Sequence, residues 1–395
     1  MTVAEAVGVL PRRMSGWAAQ ASLAPNSLTG ISVALGVCAA VWFTAGTRWG
    51  NLIGAAALCG SYLAGRAAAT QPEVAVSERR LAGVCAVLTG CGACAGLAAG
   101  GLAAGGPAGG RIGMWQLATT AVVLLAVSQL AVACGRQPAP GGGQPAGAGG
   151  QRKAARYGVT WRTLAFPNGA RVLVIALAAP VLGTRAALFG LLGGGAIALG
   201  YAVVTGRPRR AAETGLRPIA ACRDDGPIAS ALGMPIRGQL VPLPPALTGL
   251  AAVCVLAALG LRDLPGFLLL APVIAMLLAA VGSSHPHDGR PDWIVPAALQ
   301  AGQYIYIAAI GFASGVPAPV VFALCALIAV HYADLAGHAQ QHTALGWDGR
   351  MIATGLGAAL GIATFAYLLL AAYVVVLICR EVMTGWLAAT EGDYR

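Results

Sequence analysis

The feature that most narrows what this chain can fold into is a recurring apolar stretch about as long as a bilayer is thick. A helix rises 1.5 Å per residue, so roughly 20 mostly apolar residues cross the hydrocarbon layer. Such stretches lie at residues 28–45, 51–69, 81–104, 113–134, 170–184, 187–205, 242–261, 264–282, 293–313, 316–336 and 352–378. Lipid offers no partner to a backbone N–H or C=O, so each stretch must bond within itself as a helix. The expected fold is therefore all-α: a polytopic membrane helical bundle of about 11 transmembrane helices. Only 10% of the residues are charged. A soluble domain carries about 25%, so lipid is the main solvent.

The few charges are lopsided. Of the 25 basic residues all but Lys153 are arginine, and the net charge is +11. They fall between apolar runs and not on one soluble face, which argues against nucleic acid and for anionic lipid headgroups as the counter-charge. With the N-terminus placed inside, 19 basic residues fall in cytoplasmic segments and 6 in external ones. Short cytoplasmic loops carry the excess of Lys and Arg. The expectation is a multi-pass cell-membrane protein with a cytoplasmic N-terminus, and an odd number of spans would put the C-terminus outside.

Two breaks in composition divide the chain. Residues 138–158 form a Gly/Pro linker ending in a basic patch, and residues 206–241 form a basic, Pro-rich cytoplasmic connector. The resulting division is an interfacial segment at 1–27, a six-helix half at 28–205 and a five-helix half at 242–395. Glycines recur four apart at Gly46, Gly50 and Gly54, and again at Gly92, Gly96 and Gly100. Such faces let helices approach closely in lipid, and packing within the chain is their expected use. Nearly all ten cysteines lie inside apolar runs, where a thiol acts as a small hydrophobe. Cys91 and Cys94 have redox spacing, but they sit mid-helix with no strand before them.

Pro25-Asn26-Ser27-Leu28-Thr29, followed by Gly36, resembles the entry turn of the CDP-alcohol phosphotransferase fold. Residues 47–69, "TRWGNLIGAAALCGSYLAGRAAA", resemble the approach to that family's catalytic motif, D-x2-D-G-x2-A-R-x8-G-x3-D-x3-D. "RDDGP", "PLPPAL", "DWIVPAAL", "VHYAD" and "GWDGR" look like pieces of a membrane extension fused to such transferases in high-GC bacteria. The resemblance implies a six-helix phospholipid-synthesis fold whose four aspartates hold divalent metals over a CDP pyrophosphate. Here the aspartates are missing. With Arg66 as the motif's arginine, its last two aspartates fall on Arg79 and Gly83, and no aspartate occurs anywhere before Asp224. Mg²⁺ wants several oxygen ligands, and without metal neither the attacking nor the leaving oxygen is stabilised. The expectation is a pseudoenzyme with no catalytic residue, metal or cofactor of that kind. Asn26, Arg66, Arg207, Arg209 and Arg210 remain to bind lipid phosphate, guanidinium being well shaped for it. An intact transferase is the protein partner such a module would serve.

A second polar group lies in the C-terminal half. His331, Asp334, His338 and His342 share one helical face, and Asp348 and Arg350 follow in the next loop. A wet helix end bonding to residues 346–350 explains them without a metal, since two helical turns separate His331 from His338. Asp224 and Asp225 are the only paired carboxylates and read as the N-cap of a helix starting at Pro227. His285, His287, Asp288 and Asp292 sit in a turn-rich loop and read as solvated. Two other functions stay open: a lipid-modifying transferase with its site around Asp334, His338 and Asp348, and a transporter using the C-terminal spans.

Overall fold

The computed structural model describes residues 25–71, 76–105, 113–134, 166–205, 224–233, 241–259, 266–283, 292–335 and 345–392, with side chains left undescribed at some helix ends. Among the described residues all regular structure is helical. The helices are α1 (Pro25–Thr44), α2 (Arg48–Ala69), α3 (Val76–Ala103), α4 (Met114–Cys134), α5 (Asn168–Leu182), α6 (Thr184–Thr205) and the short α7 (Pro227–Gly233). Then come α8 (Leu243–Leu259), α9 (Ala271–Gly282), α10 (Val295–Ala313), α11 (Ala318–Leu335), α12 (Trp347–Ala359) and α13 (Ala363–Gly392). Short 3₁₀ turns at Gly266–Leu270 and Asp292–Ile294 lead into α9 and α10.

Seven of these segments are long and apolar enough to cross a membrane, and four shorter apolar helices accompany them: 168–182, 243–258, 266–282 and 318–333. Large apolar side chains such as Val37, Val41, Leu177, Val181, Leu278, Phe365 and Val376 point outward. That costs free energy in water and none in hydrocarbon, as a membrane-embedded bundle requires.

The glycine faces do pack within the chain. A Cβ at Gly96 would overlap the Ala40 carbonyl, and one at Gly100 the Phe43 carbonyl, while Gly54 lies against the Phe43 ring. Both glycine series therefore close on the same stretch of α1. Thr47 caps α2 by accepting from the Gly50 N–H at 3.0 Å, and Gly46, at φ +64, makes the turn between α1 and α2. Near the other end Ser32 and Ser61 exchange bonds, each hydroxyl donating to the other residue's carbonyl at 2.8 and 2.7 Å.

The two halves are not separate cores. The helices α3 and α4 pack against α11, and α4 also against α10. Trp115 meets Phe322 edge-on across this seam, with ring centres 5.4 Å apart. One apolar cluster runs from Ala39 to Val374.

The sequence reading needs one correction of architecture. Residues 352–378 are not one span. The chain turns at 360–362, where Gly361 has φ +74, and α13 folds back along α12. At one end of α13 the Tyr367 hydroxyl donates to the Ile307 carbonyl. Toward its other end, Glu381 lies beside His331. The last helix thus runs back to the end of the bundle that holds Asp224.

Candidate functional site

Three of the short sequence pieces, 223–227, 330–334 and 346–350, meet in space. The backbones of residues 224–226 and 345–348 touch: the Trp347 N–H donates to the Asp224 carbonyl at 3.0 Å. A Cβ on Gly226 would overlap Asp348, and one on Gly346 would overlap the Gly226 amide. Glycine is needed on both sides because no side chain fits between these two strands of backbone. Glycine's lack of a Cβ is what allows so close an approach.

Side chains then lock the junction. Arg350, fully buried, donates from Nη2 to Asp224 Oδ2 at 2.5 Å and from Nη1 to the Leu345 carbonyl at 3.1 Å. Its guanidinium lies 5.7 Å from the centre of the Tyr332 ring. The Tyr332 hydroxyl donates to Gln303 Oε1 on α10, at 3.0 Å. The Trp347 indole donates to Asp225 Oδ1 at 2.9 Å. A buried charge is tolerable only when paired and hydrogen-bonded, and this arrangement meets that condition for Asp224 and Arg350.

His331 sits against the same pair. Its Nε2 is 3.5 Å from Asp224 Oδ2, and its Nδ1 is 3.7 Å from Glu381 Oε2 on α13. On α10 the neighbouring face carries Gln300, Gln303 and Tyr304, all buried. Both polar atoms of Gln300, the Gln303 Nε2 and the Tyr304 hydroxyl lack a hydrogen-bond partner among the described residues.

Several expectations change here. Asp224 and Asp225 do not cap α7. The Ala229 N–H bonds instead to Asp348 Oδ2 at 2.8 Å, so the cap comes from a residue 119 positions away. Asp348 and Arg350 are not in a loop; they form the first turn of α12. His331 is not at a wet helix end but 2% exposed. The C-terminal helices also bury titratable and charged side chains at His331, Arg350 and Glu381. Glu381 was missed because the run to residue 378 reads as one outward span and leaves it beyond the membrane. Asp334 lies on α11 with its side chain undescribed, and His338 and His342 lie outside the described residues. No group of three or more His, Cys, Asp or Glu among the described residues is arranged to hold a metal ion.

In the N-terminal half, Asn26 and Arg66 come to the same end of the bundle, where Leu28 of α1 packs on Ala67 and Ala68 of α2. Both are exposed. Arg207, Arg209 and Arg210 lie outside the described residues. Counting back from Arg66 through the motif puts its first two aspartates at Leu58 and Ser61, both buried at 2% exposure, Ser61 against Ser32. Among the described side chains this face packs against helices and offers no carboxylate, so they do not fit divalent metal.

Sequence reasoning also passed over Arg171, in the first turns of α5. Its Nε donates to the Phe166 carbonyl at 3.0 Å, and it lies over the Phe166 ring, 5.9 Å from its centre. The Gln129 amide, with its oxygen turned toward Arg171, accepts from both Nη atoms. An arginine inside an apolar stretch is the signal that would have found it. No family model, curated protein or solved structure matches the chain.

Proposed function

We propose that this is a multi-pass membrane protein related to the CDP-alcohol phosphotransferases whose N-terminal half no longer performs metal-assisted phosphotransfer. It serves as an anionic-lipid-binding module, and an intact transferase is the partner it would join. One observation carries the reading. The helix end that resembles the family's catalytic segment has Leu58, Ser61, Arg79 and Gly83 where four aspartates would stand, and the chain holds no aspartate before Asp224. Arginine–phosphate bonds need no metal, so binding through Arg66 and the arginines at 207–210 survives the loss of chemistry.

The basic residues put the N-terminus in the cytoplasm. The return of α13 toward the end that holds Asp224 supports putting the C-terminal end on that side too, with an even number of crossings. Reporters fused within 138–158 and after Arg395 should then read the same side; opposite sides would defeat this topology.

The function itself is tested on the purified full-length protein in lipid nanodiscs. It should release no CMP from CDP-activated lipid with Mg²⁺ or Mn²⁺ and an alcohol acceptor. It should bind vesicles rich in anionic lipid more tightly than neutral ones, and Arg66→Ala should weaken that preference. Metal-dependent CMP release would sink the reading.

A further inference from the structure

Glu381 is the carboxylate that the Asp224–Arg350 pair leaves unanswered. It is buried, its Oε2 has no hydrogen-bond partner among the described residues, and the His331 ring lies 3.7 Å from it. The opposite edge of that ring stands 3.5 Å from Asp224. One imidazole therefore lies between two buried carboxylates that come from segments far apart in sequence.

The other charged side chains described nearby are hydrogen-bonded to neutral donors or exposed. Asp225 accepts from the Trp347 indole and Asp348 Oδ2 from the Ala229 N–H, both neutral donors, while Asp348 Oδ1 is buried with no hydrogen-bond partner among the described residues, so these two carboxylates add to the negative charge of the site. Arg380, next to Glu381 on α13, is exposed. From α10 come Gln303 and Tyr304, and from α11 itself Tyr332, all uncharged. The described side chains of α3 and α4, which pack against α11, include no charged group. With His331 neutral and both carboxylates ionised, Asp224, Glu381 and Arg350 sum to one uncompensated negative charge. A buried site is strongly biased against that state. One added proton makes the group neutral, and on His331 it lies between both carboxylates.

We propose that Asp224, His331 and Glu381 form a buried proton-binding site that holds one proton at neutral pH and thereby ties the last helix to the connector. The proton comes from solvent and returns to it, and no bond other than N–H or O–H is made or broken. With the proton bound, α13, α11 and the 224–226 segment attract one another. After its release, Glu381 faces a neutral ring and the tie slackens.

The sign follows from linkage. A proton held more tightly in the folded than in the unfolded chain adds stability in mild acid, and that stability is lost as pH rises past the point of release. The test is thermal unfolding of the full-length protein in detergent from about pH 5 to about pH 9, a range that brackets ordinary imidazole titration. The wild-type midpoint should fall by several degrees more across that range than the midpoint of Glu381→Gln, in which no proton is needed to balance the charge. His331→Gln removes the ring but not the excess charge, so its loss of stability should begin at a different pH from that of the wild type; if it does not fold, Glu381→Gln alone decides. Equal slopes in wild type and Glu381→Gln would overturn the proposal.

Discussion

Between residues 26 and 204 no described side chain is a carboxylate, whereas Asp224, His331, Arg350 and Glu381 meet in one buried group in the C-terminal half. The N-terminal helices are held by surfaces: glycines of α2 and α3 let their backbones lie against α1, and small residues fill the gaps. Arg171, the half-buried cation among their described residues, is answered by a carbonyl, an aromatic face and an amide. The C-terminal junction is held by pairs that must match, a carboxylate for a guanidinium and a glycine for a glycine. Surface packing tolerates many small errors, while a buried pair fails when either member is lost. The half whose sequence motifs suggested a transferase is thus the half in which the described residues show no buried ion pair.

The largest effect should come from leaving a buried charge alone. Arg350→Met keeps the volume but strands Asp224 against His331, and should lower the unfolding free energy in detergent by about 3–5 kcal/mol. A loss under about 1 kcal/mol would mean the pair is hydrated and the contrast between halves is overstated.

Next comes the glycine face. Gly100→Val drives a branched side chain into the Phe43 carbonyl and should cost about 1–3 kcal/mol by forcing α1 and α3 apart. Gly90→Ala lies on the same helix with nothing within 4 Å of its Cβ. It should be neutral or stabilising by up to about 1 kcal/mol. Equal losses in the two variants would remove close packing as the glue of the N-terminal half.

The smallest effect sharpens the comparison most. Arg171→Met removes a half-buried cation but leaves no charge behind, so only its charge-assisted bonds are lost. A cost of about 1–2 kcal/mol is expected, well below that of Arg350→Met. If the two arginines cost the same, Arg171 has an acidic partner among residues outside those described.

Much of this fold is legible in the sequence because lipid leaves a helix no choice. The runs at 28–45, 51–69 and 113–134 become α1, α2 and α4 with ends shifted by a few residues. The break at 360–362 is not legible in the same way. A glycine in an apolar run gives no sign that it adopts a positive φ, so α12 and α13 read as one continuous span. The site was half legible. Its pieces were visible as short polar motifs, but Asp224 and Arg350 are 126 positions apart, and pattern alone cannot pair residues at that distance. Local rules even misled: Asp224-Asp225-Gly226-Pro227 has the pattern of a helix cap, yet the capping oxygen belongs to Asp348. Tertiary contact overrode a sound local preference.

The central claim is that one matched buried pair fastens the connector to the C-terminal helices. A double-mutant cycle on Asp224→Asn and Arg350→Met, read by thermal unfolding of the full-length protein in detergent, tests it most directly. Each single change strands a partner, and the double change strands neither. The double variant should therefore be more stable than the sum of the single losses predicts, with a coupling at or above about 2 kcal/mol. Losses that simply add, within about 0.5 kcal/mol, would contradict the account and leave the junction to its glycines and apolar contacts alone.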